Sequence, residues 1–193
     1  MEHPGLINYI NKYISLDKAE ALHFQSLLLP VRLRQNEMIE NAGEVTSYLI
    51  HVLSGCLMTY YTDKQDNDHV IQFSTATWWT GDLHSFSKQV PSIYSTRALA
   101  DSEILLFPFK EFEGLLTRIP KFERLFRIIF QNSLVTHQFR IIQNFSTTAE
   151  ERYEDFLKRY PSLEQYVPQK YIASYLGITP EFLSKIRRKR MER

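Results

Sequence analysis

Gln169-Lys-Tyr-Ile-Ala-Ser-Tyr-Leu-Gly-Ile-Thr-Pro-Glu-Phe-Leu-Ser-Lys-Ile-Arg-Arg188 decides how the chain is read, because nearly every position in it has its own physical reason. Ile172 and Leu176 lie four apart and so share one face of a first helix. Ala173 beside them is small enough to let a second helix cross closely. Gly177 follows where the first helix must stop, since glycine accepts the left-handed backbone that a sharp end needs. Ile178 closes the corner from inside. Thr179-Pro180-Glu181 then reads as an N-cap hydroxyl, a proline at the first helical position and an acid in the first turn. Leu183 and Ile186 face back to the first helix. The outward face keeps Glu181, Ser184, Lys185 and Arg188, followed by Lys189 and Arg190. Two crossed helices with a polar, cationic outer face are expected to be a helix-turn-helix that enters a DNA groove. The alternative is an ordinary helical hairpin with a basic tail.

Charge is distributed to match. Across 193 residues the net charge is only +1. Residues 1–146 hold 13 Lys/Arg against 15 Asp/Glu, and residues 147–193 hold 10 against 7, so the surplus of positive charge sits with the helical motif. The surplus is modest, and a dimer would double it. With 44% hydrophobic and 13% aromatic residues the chain can build a substantial core. No apolar run is long enough to span a membrane. Met1-Glu-His-Pro-Gly5 lacks the basic flank and apolar core of a secretion signal, so a cytoplasmic location is expected. Cys56 stands alone, which excludes an internal disulfide and a cysteine-held zinc or iron–sulfur centre. It reads as a small buried hydrophobe, with a redox-sensing thiol as the rival.

Upstream, residues 6–28 read as one or two helices that Pro30 ends. From 31 to 108 short apolar runs alternate with turn residues: Val31–Leu33, Tyr48–Leu53, Cys56–Tyr61, Val70–Phe73 and Ile104–Phe107, with Ser54-Gly55 and Asp63–Asp68 among the breaks. This spacing predicts an antiparallel sandwich or barrel. Residues 109–119 suggest a short helix. After Pro120, apolar residues from Phe122 to Phe145 recur near helical spacing over about 25 residues, roughly 37 Å of helix. A one-sided apolar helix of that length between two domains suits dimerisation; packing solely on its own barrel is the alternative. Ser146-Thr-Thr-Ala-Glu-Glu151 supplies a capping box for a further helix that Pro161 stops.

In this order the chain resembles the cyclic-AMP-receptor/fumarate–nitrate-regulator (Crp/Fnr) superfamily of bacterial transcription factors over nearly its whole length. The carriers are Gly43, Leu49-Ile-His-Val-Leu-Ser-Gly55, Thr80-Gly-Asp-Leu83, Arg97-Ala-Leu-Ala-Asp-Ser-Glu-Ile104 and the 169–188 motif. The resemblance implies an α+β fold: an N-terminal cyclic-nucleotide-binding-like β-barrel (jelly roll) with its leading helices over 1–120, a long dimerisation helix and hinge over 121–146, and a helix-turn-helix domain over 147–193. Its usual β-wing is truncated or missing after Met191-Glu-Arg193, so the basic run Arg187–Arg190 either substitutes as a phosphate anchor or leaves affinity reduced. The implied function is a homodimeric regulator of a near-palindromic double-stranded DNA site, with RNA polymerase as a further candidate partner. The DNA-contacting set is expected to be Gln169, Lys170, Thr179, Pro180, Glu181, Ser184, Lys185, Arg187, Arg188 and Lys189.

Members that bind cyclic AMP grip it with a Gly-Glu-Leu turn and a following Arg-Ser or Arg-Thr. Here Gly81-Asp82-Leu83 stands at the turn, but the arginine position falls on Ser92, followed by Ile93. A phosphodiester without its cation loses a strong charge-assisted bond, and Asp82 would repel it. The effector is therefore expected not to be cyclic AMP. The pocket either takes an unknown, less anionic small molecule, or is filled by Trp78, Trp79, Phe86 and Tyr94, or the protein is governed by abundance alone. The stretch of the long helix matching the family's ligand contacts is Thr136-His137-Gln138. No cofactor or metal is expected: His51, His69 and His84 contain no His-x-His pair of the cupin type, and no catalytic motif stands out. The rival function is a protein-interaction module that no longer uses DNA.

Overall fold

The computed structural model describes residues 3–192. Two short helices lead the chain, α1 (Pro4–Ile10) and α2 (Lys18–Ser26). Asp17 starts α2 through a reciprocal capping box with Glu20. The helix ends at Ser26 rather than at Pro30, which instead lies inside the first strand. Proline is tolerated there because this is an edge strand.

The strands are β1 (Leu29–Leu33), β2 (Met38–Glu40), β3 (Tyr48–Ser54), β4 (Cys56–Thr62), β5 (Asp68–Thr75), β6 (Trp79–Thr80), β7 (Ser95–Ala98) and β8 (Ser102–Pro108), with a short helix α3 (Leu83–Lys88) after β6. They form two four-stranded sheets, β1-β8-β3-β6 and β2-β7-β4-β5, with antiparallel pairing throughout. Leu33, Ile50, Val52, Leu57, Ala98, Ile104 and Leu106 form the core between them. One residue, Gly55, carries the chain from β3 in one sheet to β4 in the other, at φ +86°. A side chain there would collide with the Ser102 hydroxyl and stand 2.6 Å from the Asp101 carbonyl, so only glycine fits.

After the sheets come α4 (Phe109–Arg118) and α5 (Lys121–Ser146). The two halves of α5 differ. Phe122, Leu125 and Phe126 are buried with Phe24, Phe107 and Leu115 against the sandwich and the leading helices. Lys121 ties the same corner to Glu20 at 2.8 Å. From Leu134 onward the apolar side chains face outward: Phe139 is 60% exposed and Phe145 86%. The chain continues into α6 (Ala149–Arg159), α7 (Gln169–Leu176) and α8 (Pro180–Met191). Thr148 starts α6 in a capping box with Glu151.

These last three helices do not hang free of the sandwich. Phe156, Tyr160, Ile172, Ala173 and Leu183 share one apolar cluster with Met58, Val70 and Phe73 of β4 and β5. β5 is the edge of its sheet, and α7 covers that edge. The Ser174 hydroxyl accepts from the Val70 N–H and donates to the Asp68 carbonyl, both at 2.9 Å. Arg97 adds a second tie, bonded to Asp68 at 2.9 Å and to the Tyr171 hydroxyl at 2.6 Å. Among the described residues no helix is long and apolar enough to cross a membrane.

Candidate nucleic-acid interface and effector pocket

The turn between α7 and α8 has the geometry its residues demand. Gly177 is left-handed at φ +67°, and the Ile178 N–H returns to the Ala173 carbonyl at 3.0 Å. Thr179 caps α8 by accepting from the Phe182 N–H at 3.2 Å, with Pro180 at the first position. Its hydroxyl and the local backbone N–H hold the Glu181 carboxyl below the usual glutamate range, the backbone bond contributing most. Leu183 and Ile186 are buried against α7, which leaves Glu181, Ser184, Lys185 and Arg188 outward.

The ten residues expected at DNA fall into two groups. Thr179, Pro180, Glu181, Lys185 and Arg188 are exposed along α8, and Lys185 and Arg188 form no ion pair among the described residues. The others have intramolecular work. Gln169 donates to the Ser184 hydroxyl at 2.6 Å and the Pro180 carbonyl at 3.0 Å, pinning the helix crossing. Arg187 pairs with Glu164 at 2.8 Å, and Lys189 approaches Glu150 at 3.7 Å. Lys170 lies over the Tyr171 ring at 4.8 Å. One outward residue escaped the sequence reading: Phe182 is 43% exposed beside Glu181. Its only signal is phase, since it falls off the Leu183–Ile186 stripe.

A cavity of about 380 Å³ opens between the sandwich and α5, with Gly81, Asp82 and Leu83 on one side and His137 on the other. Trp79, Tyr94, Phe126 and Phe130 line it without filling it. Two of the aromatics expected to plug the cavity lie elsewhere. Phe86 packs edge-on to Phe109 and Phe112, and Trp78 sits against Tyr160. Ile93 is exposed, and neither it nor Gln138 lines this cavity. Ser92 stands behind the wall. Its buried hydroxyl donates to Asp82 at 2.8 Å, while the other Asp82 oxygen caps α3 by accepting from the backbone of His84 and Ser85.

The electrostatics follow from those bonds. Among the described residues no lysine or arginine lines the cavity; its ionisable groups are Asp82, His84, His137 and the Tyr94 phenol. Burial, then the charges of Arg140 and Arg159, hold the His137 imidazole below its ordinary value and favour the neutral ring. Glu40 lies nearby, its carboxyl accepting from Thr96 at 2.7 Å and pushed upward by burial, against the hydrogen bonds of Thr96 and Thr46 that lower it. The cavity thus offers aromatic and aliphatic surface, neutral hydroxyl and amide groups, and net acidity where a phosphate would need a cation.

The histidines considered for a metal are dispersed in role. His51 packs between Tyr9 and Trp79, His69 bonds Asp63 at the β4–β5 hairpin, and His84 borders the cavity. Among the described residues no group of three or more His, Cys, Asp or Glu is placed to hold a metal ion. Burial pushes the Cys56 thiol up to about 12, which leaves little nucleophilic thiolate.

Residues 30–118 match the family model of the cyclic nucleotide-binding domain. Several solved structures share the larger arrangement. FixK2 from Bradyrhizobium japonicum superposes with a TM-score of 0.73 at 17% identity, over 84% of this chain and 83% of that one. The c-di-GMP-responsive global regulator CLP from Xanthomonas campestris gives 0.70 at 13%, over 91% and 92%. A protein from Eubacterium rectale assigned to the Crp/Fnr family of transcriptional regulators gives 0.69 at 19%, over 90% and 83%. The fold is Crp/Fnr-like. The Crp/Fnr resemblance carried by the sequence motifs therefore extends to the three-dimensional arrangement, and two of these proteins, from Xanthomonas campestris and Eubacterium rectale, are named as regulators. No curated protein matches the chain in sequence.

Proposed function

We propose that the protein is a homodimeric transcriptional regulator that reads double-stranded DNA with α8. The observation that carries this reading is the outward face of α8, where Lys185 and Arg188 are exposed and form no ion pair among the described residues, on a helix capped by Thr179. In this reading the chain divides into a sensor unit over 1–120, a dimerisation helix over 121–146 and a DNA-binding unit over 147–193. The exposed apolar half of α5, from Leu134 to Phe145, is the self-association surface. Two copies would place their α8 helices about 34 Å apart, one turn of B-DNA, on a near-palindromic site.

Glu181 accepts from a cytosine amino group, and Lys185 or Arg188 donates to guanine. Thr179, Pro180 and Ser184 form the helix end that approaches the base edges. Gln169 and Lys170 bond phosphates, and Arg187 and Lys189 exchange Glu164 and Glu150 for the DNA backbone. The cavity takes an uncharged, partly aromatic effector instead of a cyclic nucleotide, a preference supported by the closed Ser92–Asp82 bond and the lack of lining cations.

A fluorescence anisotropy titration against a fragment of the protein's own promoter tests both halves, at fixed salt, with and without cyclic AMP. Sequence-specific, salt-dependent binding that cyclic AMP leaves unchanged is expected. Binding that arises only with cyclic AMP would refute the effector reading. No binding under either condition would favour the protein-interaction module.

A further inference from the structure

A second cavity, of about 320 Å³, lies where α5, α6 and α7 meet, and the proposed regulator has no use for it so far. Its walls carry Arg140 from α5 and Arg152, Lys158 and Arg159 from α6, with Asp155 as the one acid and Tyr175 as an aromatic floor. Four cations around one carboxylate would repel one another across a gap this small unless something compensates them.

The protein fixes the geometry of the arginines and compensates only Lys158, through Asp155. Arg140 spreads its guanidinium over the Tyr175 ring, 4.8 Å from the centroid, and donates one N–H to the Ile71 carbonyl. Arg152 donates Nε to the Leu176 carbonyl at 3.1 Å and Nη1 to the Thr147 carbonyl at 2.8 Å. Carbonyls are neutral acceptors, so these bonds fix the planes of both guanidiniums without cancelling their charge. Among the described residues neither arginine, nor Arg159, forms an ion pair with a carboxylate. Asp155 is already occupied, accepting from Lys158 at 3.1 Å and from Gln143 at 2.8 Å. The depressed basicity of His137, to which Arg140 and Arg159 contribute, reports the same positive field from the neighbouring turn of α5. Planar forks held in place with N–H groups to spare suit phosphoryl oxygens, which accept two bonds from one guanidinium. A cavity walled by several cations suits more than one phosphoryl group.

We propose that this cleft binds a small anion bearing two or more phosphoryl groups. Its walls come from the helices on both sides of Thr147, so a bound anion clamps α5 to the α6–α7 pair. The setting of α8 relative to the long helix is then fixed by a ligand outside the sandwich.

Isothermal titration of the full-length protein with inorganic pyrophosphate, at constant ionic strength and without DNA, tests this independently of DNA reading. Saturable binding of one pyrophosphate per chain is expected. Arg159→Gln should weaken it roughly tenfold or more, the worth of one charge-assisted contact. Arg159 is exposed and makes no side-chain hydrogen bond among the described residues, so its replacement leaves the fold intact. Arg140→Gln should weaken binding further, and Lys185→Ala, on α8, should leave it unchanged. Heat no larger than chloride gives at equal ionic strength would overturn the proposal, as would binding that neither arginine variant weakens. DNA affinity whose salt slope drops by about 0.9 in Arg159→Gln, with no pyrophosphate binding, would assign the cleft to the DNA backbone and also overturn it.

Discussion

The cavity in the sandwich and the outer face of α8 are both polar, yet they treat charge in opposite ways. In the cavity the acid is closed on its own chain: Asp82 accepts from Ser92 and from the first turn of α3, and no cation faces it. On α8 the cations are open: Lys185 and Arg188 form no ion pair among the described residues. A polar group that is already bonded is architecture, and a charged ligand gains little from it. A charge left unpaired on a rigid helix has its interaction still to make. The difference supports the proposal that α8 is the nucleic-acid surface and that the cavity takes a neutral guest.

The contrast can be broken by pH before it is broken by ligands. His51 is 2% exposed behind Trp79, and burial, with a smaller contribution from His3, lowers its pKa to about 4. The folded state therefore keeps a neutral ring that the unfolded chain protonates near 6.5. Stability from this group is intact above pH 6.5 and is lost as pH falls from 6.5 through about 4, to the extent of about 3 kcal/mol. Urea denaturation across that range should show the loss, and His51→Phe should flatten the slope. A slope unchanged in the variant would show that His51 is not held neutral, and that the back of the cavity admits charge.

The α8 side is sharpened by Lys185→Ala. If Lys185 reads a base, the variant should lose about 1–3 kcal/mol on the specific site and almost nothing on random DNA. Equal losses on both would move Lys185 to the phosphates. The cavity counterpart is Asp82→Ala, which removes the cap of α3 and the acceptor of Ser92. It should cost about 1–2 kcal/mol of folding stability and leave DNA affinity unchanged in the effector-free protein. A large gain of cyclic AMP binding in this variant would mean that repulsion by Asp82 alone had excluded the nucleotide.

How far each region was legible in the sequence follows from how local its physics is. The α7–α8 corner depends on neighbours within four residues, so Gly177, Thr179 and Pro180 could be placed from spacing and side-chain chemistry alone. The sandwich was legible as alternation and turns, although Pro30 looked like a helix stop and proved to be an edge-strand residue. The cavity was not legible in detail, because its wall is decided by contacts between distant segments. Counting from a motif pointed to Ile93 and Gln138, but neither is among the residues lining the cavity. Phe86 and Trp78 were equally plausible plugs until the packing of α4 and Tyr160 claimed them. The partners of Arg187 and Lys189, Glu164 and Glu150, are tertiary neighbours that no periodicity reveals.

The joint between the two regions is the least local feature and the most economical to test. Ser174 on α7 supplies both the acceptor for Val70 N–H and the donor to Asp68 carbonyl on an edge strand 104 and 106 residues away. Ser174→Ala removes both bonds but keeps the helix, since alanine is the better helix former. Net loss should be about 1 kcal/mol, because water can reach part of this edge and replace some of what is removed. If the sandwich and the last three helices unfold as one unit, chemical denaturation by tryptophan fluorescence and by far-ultraviolet circular dichroism should shift together by that amount. Trp79, packed on Phe126, reports the sandwich side; Trp78, packed on Tyr160, reports the seam; and the dichroism reports all the helices, the last three included. Two separated transitions in the variant would mean that Ser174 couples bodies otherwise able to fold apart. The closed chemistry of the cavity and the open chemistry of α8 would then belong to two independent units joined at a switchable seam.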